Sequence, residues 1–122
     1  MEQCIVVEGR ADARQIAPLL TQQVHVLQTN GTISEVALEA LLEPFEHMEL
    51  YTLFDADYTG DKLRKLMDKL YSECTHIYIE RAHKAVEETP RVALYTLLKE
   101  ATIHVKDDNY ATMDERGMAG GS

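Results

Sequence analysis

The sequence predicts an α/β fold: three layers, α/β/α, around a four- or five-stranded, mainly parallel sheet. Three observations carry this. Short continuous apolar runs such as Cys4-Ile5-Val6-Val7 read as strands covered on both faces. Segments of helical period separate those runs. Strands and helices alternate at the spacing of βαβ units, which places helices on both sides of a parallel sheet.

The elements follow in order. Gly9 ends the first strand, and Ala11 to Leu20 is helical, with Asp12 near a positive dipole end and Pro18 tightening the last turn. Val24 to Leu27 forms a second strand, and Asn30-Gly31 marks a turn that tolerates positive φ. Thr32 or Ser34 caps a helix whose apolar stripe is Ile33, Val36, Ala37, Ala40 and Leu41, bounded by Pro44. Met48 to Phe54 is the third strand and ends in Asp55-Ala56-Asp57. The next helix starts at Thr59-Gly60-Asp61, with Leu63, Leu66, Met67 and Leu70 inward and Lys62, Arg64, Lys65 and Lys69 outward. Thr75 to Glu80 is a fourth strand. Arg81 to Glu88 fits loop or helix equally. Pro90 opens a last helix through Leu98, and Ala101 to Val105 suits a short fifth strand.

At 122 residues the chain is expected to form one domain over residues 1–106, followed by a polar, Gly-rich and disordered tail at 107–122. The net charge of −9 argues against tight unaided binding to a polyanion. A bound divalent ion or a local basic patch can reverse that sign where it matters. No run approaches the ~20 apolar residues of a membrane span. The amino terminus lacks signal-peptide features, so a cytoplasmic location is expected. Cys4 and Cys74 form no CxxC pair, and the five histidines show no HxxxH or HxH spacing, so zinc is not expected. No nucleotide-binding glycine loop is present.

The chemistry-bearing residues stand at strand ends. In open α/β sheets, ligands collect beyond the carboxyl ends of strands where strand order reverses. If the first and third strands are neighbours, in the order 2-1-3-4, then Glu8, Asp55 and Asp57 share one crevice. Carboxylates so placed repel one another unless a cation sits among them, and hard oxygen donors suit Mg²⁺ or Mn²⁺. An isolated DxD also serves as a helix cap or a solvated turn. The pairing with Glu8-Gly9 is what favours a metal site.

"IVVEGRADA" followed by "LFDADYTGDKLRKLM" resembles the Toprim domain of topoisomerases, DnaG-type primases, overcoming-lysogenisation-defect nucleases and recombination-repair proteins. Within that Rossmann-like family the likeness is strongest to the Toprim part of the bacterial ribonuclease that matures the smallest ribosomal RNA, which shares the "TNGT" turn and the "GDKLR" helix start. The resemblance implies that Glu8 acts as general acid or base or joins the metal shell, and that Asp55 and Asp57 hold the metal. Gly9 then lets the backbone approach the site, and Asp12 is a further ligand or a helix cap. Arg10, Lys62 and Arg64 are candidates for docking phosphate, the last two beside a helix amino terminus.

Two functions follow as expectations. One is a bacterial Mg²⁺-dependent nuclease or related phosphodiesterase acting on RNA or DNA, weak alone and helped by a protein partner or a homodimer. The other is a non-catalytic module that binds metal or protein within a nucleic-acid-processing complex. An apolar face on the last helix near Tyr95 would suit a dimer.

Overall fold

In a computed structural model, which describes residues 1–107, the apolar runs lie side by side as one parallel sheet. Its strands are β1 (Gln3–Val7), β2 (Val24–Gln28), β3 (Glu49–Phe54) and β4 (Thr75–Tyr78), in the order β2-β1-β3-β4. The register sets Ile5 between Val26 and Tyr51, and Phe54 opposite Tyr78. The helices are α1 (Arg10–Ile16), α2 (Glu35–Leu42), α3 (Tyr58–Leu70) and α4 (Arg91–Glu100). Short 3₁₀ turns at Ala17–Leu19 and Glu43–Phe45 carry Pro18 and Pro44, which cannot continue a helix.

Side-chain alternation along the strands divides the core in two. Ile5, Val7, Tyr51, Leu53 and Ile77 face one layer, with Ile16 from α1 and Leu94 and Leu98 from α4. Cys4, Val6 and Phe54 face the other, with Leu38 and Leu42 from α2 and Leu63 and Met67 from α3. The three-layer α/β/α expectation therefore holds. Burial pushes the Cys4 thiol up to about 12, as befits an inert core cysteine.

Several expectations give way. The stripe on α2 is shifted: Ser34 accepts the Ala37 N–H at 3.1 Å as the cap, and the helix buries Leu38 and Leu42 while Val36 is 78% exposed. That face presents leucines where the expected one presents alanines, so it removes more apolar area from water. Ala101 to Val105 is not a fifth strand. Val105 makes one isolated antiparallel bridge to Leu20, and the segment is fixed instead by the buried Gln3 amide. Gln3 Nε2 donates to the Thr102 carbonyl at 2.9 Å, and its Oε1 accepts the His104 N–H at 2.8 Å. Tyr95 is not part of an exposed face: it is 4% exposed and donates its hydroxyl to the Lys106 carbonyl at 2.7 Å. The tail expected at 107–122 lies, beyond Asp107, outside the described residues. No helix among the described residues is long and apolar enough to cross a membrane.

Candidate functional site

β1 lies between β2 and β3, so the chain leaves it on one side and returns on the other. The carboxyl ends of β1 and β3 thus flank the point where strand order reverses. Glu8 follows β1, and Asp55 follows β3. They meet directly: Glu8 Oε1 accepts the Asp55 N–H at 2.9 Å.

Main-chain donors hold each acid. Asp55 Oδ1 accepts the Val86 N–H at 2.8 Å, and Asp57 Oδ1 caps α3 by accepting the Gly60 N–H at 2.8 Å. Asp12 reaches back from the first turn of α1, its Oδ2 accepting the Gly9 N–H at 3.0 Å. The helix-cap alternative for Asp12 is therefore realised, although its carboxylate still faces the same cluster. The Glu8 carbonyl is anchored by the N–H groups of Asn30 at 2.7 Å and Gly31 at 3.2 Å. That turn needs positive φ at both residues, 61° and 89°, which asparagine and glycine tolerate.

The acids feel one another. Burial pushes Glu8 above the usual carboxylate range, opposed by the Asp55 N–H, and the charges of Asp55, Asp57 and Asp12 push it further. Burial raises Asp12 too, followed by the charge of Asp55. Asp55 is raised by burial and by Asp57, against the lowering effects of the Val86 N–H and Arg64. With one oxygen of each carboxylate engaged by the main chain, the other can face a cation, and the all-oxygen donor set fits Mg²⁺ or Mn²⁺. No three of these carboxylates bring oxygens within 4.8 Å of one another. An ion that keeps several of its waters matches that spread.

Two glycines differ in their reasons. A Cβ on Gly60 would stand 2.1 Å from the Asp55 carbonyl oxygen, so the turn and the helix start can close only on glycine. Gly9 has extended backbone, and a Cβ there would meet nothing nearer than Asp12 Oδ2 at 3.9 Å. The space in front of Gly9 is open to a ligand.

Among the basic candidates, Arg10 and Lys62 are exposed, Lys62 with its Nζ 5.5 Å over the Tyr58 ring. Arg64 departs from its expected outward, phosphate-facing place. It is 7% exposed, and its Nη2 donates to the carbonyls of Phe54 at 3.0 Å and Asp55 at 2.9 Å. Its Nη1 pairs with Asp61 at 2.8 Å, and its guanidinium lies 5.0 Å from the Tyr78 ring centroid. These bonds engage Nη1 and Nη2, and the remaining Nε is buried away from solvent, so Arg64 supports the aspartate turn from beneath.

Sequence reasoning missed the segment after β4. Lys84, at φ 66°, offers its carbonyl to the Ala56 N–H at 2.8 Å, and Val86 supplies the N–H on Asp55. Both act through main-chain atoms, which no side-chain pattern announces. Glu80 is exposed, preceding the 3₁₀ turn Arg81–His83, and no contact ties it to the acids among the described residues. A cleft of about 570 Å³ lies elsewhere, at the amino ends of β3 and β4.

A sequence model of the Toprim domain matches residues 3–87. The chain is 35% identical over 105 residues to the uncharacterized protein YusF of Bacillus subtilis, covering 86% of this chain and 72% of that one. It is 29% identical over 119 residues to ribonuclease M5 of Staphylococcus aureus, covering 91% of this chain and 65% of the ribonuclease. The chain spans only 40% of the length of the Listeria monocytogenes ribonuclease M5, at 32% identity over 78 residues. Among solved structures, the small TOPRIM domain protein from Bacillus stearothermophilus superimposes with a TM-score of 0.80 at 39% identity, covering 87% of this chain and 90% of that one. With its strand order, its paired acids and these likenesses in agreement, the chain belongs to the Toprim domain family.

Proposed function

We propose that this protein is a divalent-metal-dependent phosphodiesterase of nucleic acid, working at the Glu8, Asp55 and Asp57 crevice. The observation that carries the proposal is the 2.9 Å bond from the Asp55 N–H to Glu8, which joins two acids 47 residues apart at one sheet edge. Similarity to ribonuclease M5 supports nucleic acid as the substrate class.

Asp55 and Asp57 would hold the ion, with Glu8 and Asp12 beside it. When bound, Mg²⁺ or Mn²⁺ polarises a phosphoryl oxygen and lowers the pKa of bound water. Glu8 handles the proton with the oxygen that the Asp55 N–H leaves unused, and burial among like charges raises its pKa toward working pH. Arg10 and Lys62 dock the phosphate backbone, and the open space at Gly9 lets a phosphate approach the main chain. Arg64 and the Val86 N–H keep Asp55 fixed while the substrate changes.

A second reading, a non-catalytic module in a nucleic-acid-processing complex, has its own support. The chain spans 65% and 40% of two ribonuclease M5 sequences, and its net charge is −9. One experiment separates the two. The protein and its Asp55→Asn, Asp57→Asn double variant are incubated with single-stranded RNA, structured RNA and duplex DNA in Mg²⁺ or Mn²⁺. Cleavage that the double variant loses supports the enzyme. Cleavage that survives rejects this site. If nothing is cut but calorimetry shows ion binding that Asp57→Asn abolishes, the module is preferred.

A further inference from the structure

We propose that Asp68, Cys74 and His76 form a second metal centre, for zinc or a similar borderline divalent ion, that clips α3 to the edge strand β4. Among the described residues, their nitrogen, sulfur and oxygen donors lie within 4.8 Å of one another. Cys74 and His76 are two positions apart entering β4, so their side chains leave the same face of the sheet. Asp68 comes to them from the last turns of α3.

The separations fit an ion. Cys74 Sγ is 3.8 Å from His76 Nε2 and 4.0 Å from Asp68 Oδ1. Bonds of about 2.3 Å to sulfur and about 2.05 Å to nitrogen, at the tetrahedral angle, require roughly 3.6 Å between those ligands. The His76 Nε2 to Asp68 Oδ1 distance is 2.7 Å, a hydrogen-bond length, and must open by roughly 0.6 Å when an ion replaces the proton between them. Asp68 can make that adjustment, since its side chain is 57% exposed while that of His76 is only 12% exposed.

The imidazole is already braced from behind. His76 Nδ1 lies within hydrogen-bonding distance of the Thr52 hydroxyl, on a fully buried residue of β3. A polar group on the far ring nitrogen is what a ligating histidine uses to fix its tautomer. In the ligating tautomer Nε2 is free for the ion while Nδ1 carries the proton and donates it to Thr52 Oγ1, and the Cys74 thiol releases one proton to solvent as the metal–sulfur bond forms. Three protein donors leave a fourth position open. The exposed Asp68 side chain leaves that position accessible to solvent, and Cys74 also lines the 570 Å³ cleft.

The donor set separates this centre from the carboxylates. Thiolate and imidazole select zinc-class ions, whereas the oxygen-only crevice selects Mg²⁺ or Mn²⁺. Thr52 precedes Asp55 by three residues of near-extended chain, roughly 10 Å, and the Arg64–Tyr78 pair lies beyond His76 on the way.

The test uses the full chain, stripped with chelator and titrated with Co²⁺ alone. The expected result is the visible bands of tetrahedral cobalt with a thiolate-to-cobalt charge-transfer band that saturates at one ion per chain and is bleached by Zn²⁺, whereas Co²⁺ held by the oxygen-only crevice adds no such band. Cys74→Ser should lose the charge-transfer band, whereas Cys4→Ala and the Asp55→Asn, Asp57→Asn double variant should keep it. Asp68→Asn, a change at an exposed side chain that leaves folding intact, should weaken Zn²⁺ by at least about tenfold, and Thr52→Val by about 10–100-fold. A six-coordinate cobalt spectrum without the charge-transfer band overturns the proposal. So does a band that survives in folded Cys74→Ser, or Zn²⁺ affinity unchanged in Asp68→Asn.

Discussion

Replacing Gly60 with alanine tests how the aspartate turn is built. The new Cβ would stand 2.1 Å from the Asp55 carbonyl oxygen, 1.3 Å inside the 3.4 Å at which ordinary contact begins. The obstacle is backbone, already bonded to Arg64 and followed by Ala56, whose N–H is tied to Lys84, so it cannot swing aside. Relief requires the start of α3 to move away from β3, which strains the packing at a cost of about 1–3 kcal/mol. The same movement stretches the Asp57 cap on the Gly60 N–H, worth about 1 kcal/mol. Alanine returns up to ~1 kcal/mol through its better helix propensity. The net loss is about 1–3 kcal/mol, or a fall in Tm of roughly 4–13 °C for a domain of this size. Thermal unfolding followed by circular dichroism reads it directly, with Gly9→Ala as a control expected within a few degrees of wild type. A Gly60→Ala protein that melts with wild type would refute the reasoning, because the turn would then have slack that the structure denies.

Other perturbations probe the surroundings. Arg64→Met leaves the carbonyls of Phe54 and Asp55 without their donors, and should cost about 3 kcal/mol in chemical denaturation; a loss below about 0.5 kcal/mol would mean the guanidinium is not a support. Gln3→Leu strips partners from Thr102 and His104, and should cost about 2 kcal/mol while making the segment after α4 cleavable by protease. The pH dependence has a definite sign. Glu8, Asp12 and Asp55 are raised on folding, so their contribution is full below about pH 4 and is lost as pH climbs through the raised values. In chelator, wild type should therefore lose stability relative to Asp55→Asn over that rise, and saturating Mg²⁺ should shrink the difference; a difference independent of pH contradicts it.

The sheet was legible because its signals are local and redundant. Apolar runs mark the strands from Cys4 and from Met48 onward, and the 2-1-3-4 order on which the shared crevice depends is the order found. What failed depended on packing. The α2 stripe was misplaced by counting alanines as equal to leucines, though Leu38 and Leu42 bury far more area. Arg64 was assigned outward by its charge, yet two main-chain carbonyls ten and nine residues earlier draw it in. Ala101 to Val105 has strand composition without a neighbour to pair with, apart from one bridge to Leu20. The Asp68, Cys74 and His76 group has no histidine-pair spacing to announce it, because its third donor comes from another element.

The central claim is that Glu8, Asp55 and Asp57 enclose a divalent ion. Anomalous scattering from crystals grown with Mn²⁺ tests it most directly. The account predicts a peak at bonding distance from Asp55 and Asp57, with the Glu8 carboxylate beside it. An empty crevice at saturating Mn²⁺, or manganese bound elsewhere only, would contradict it.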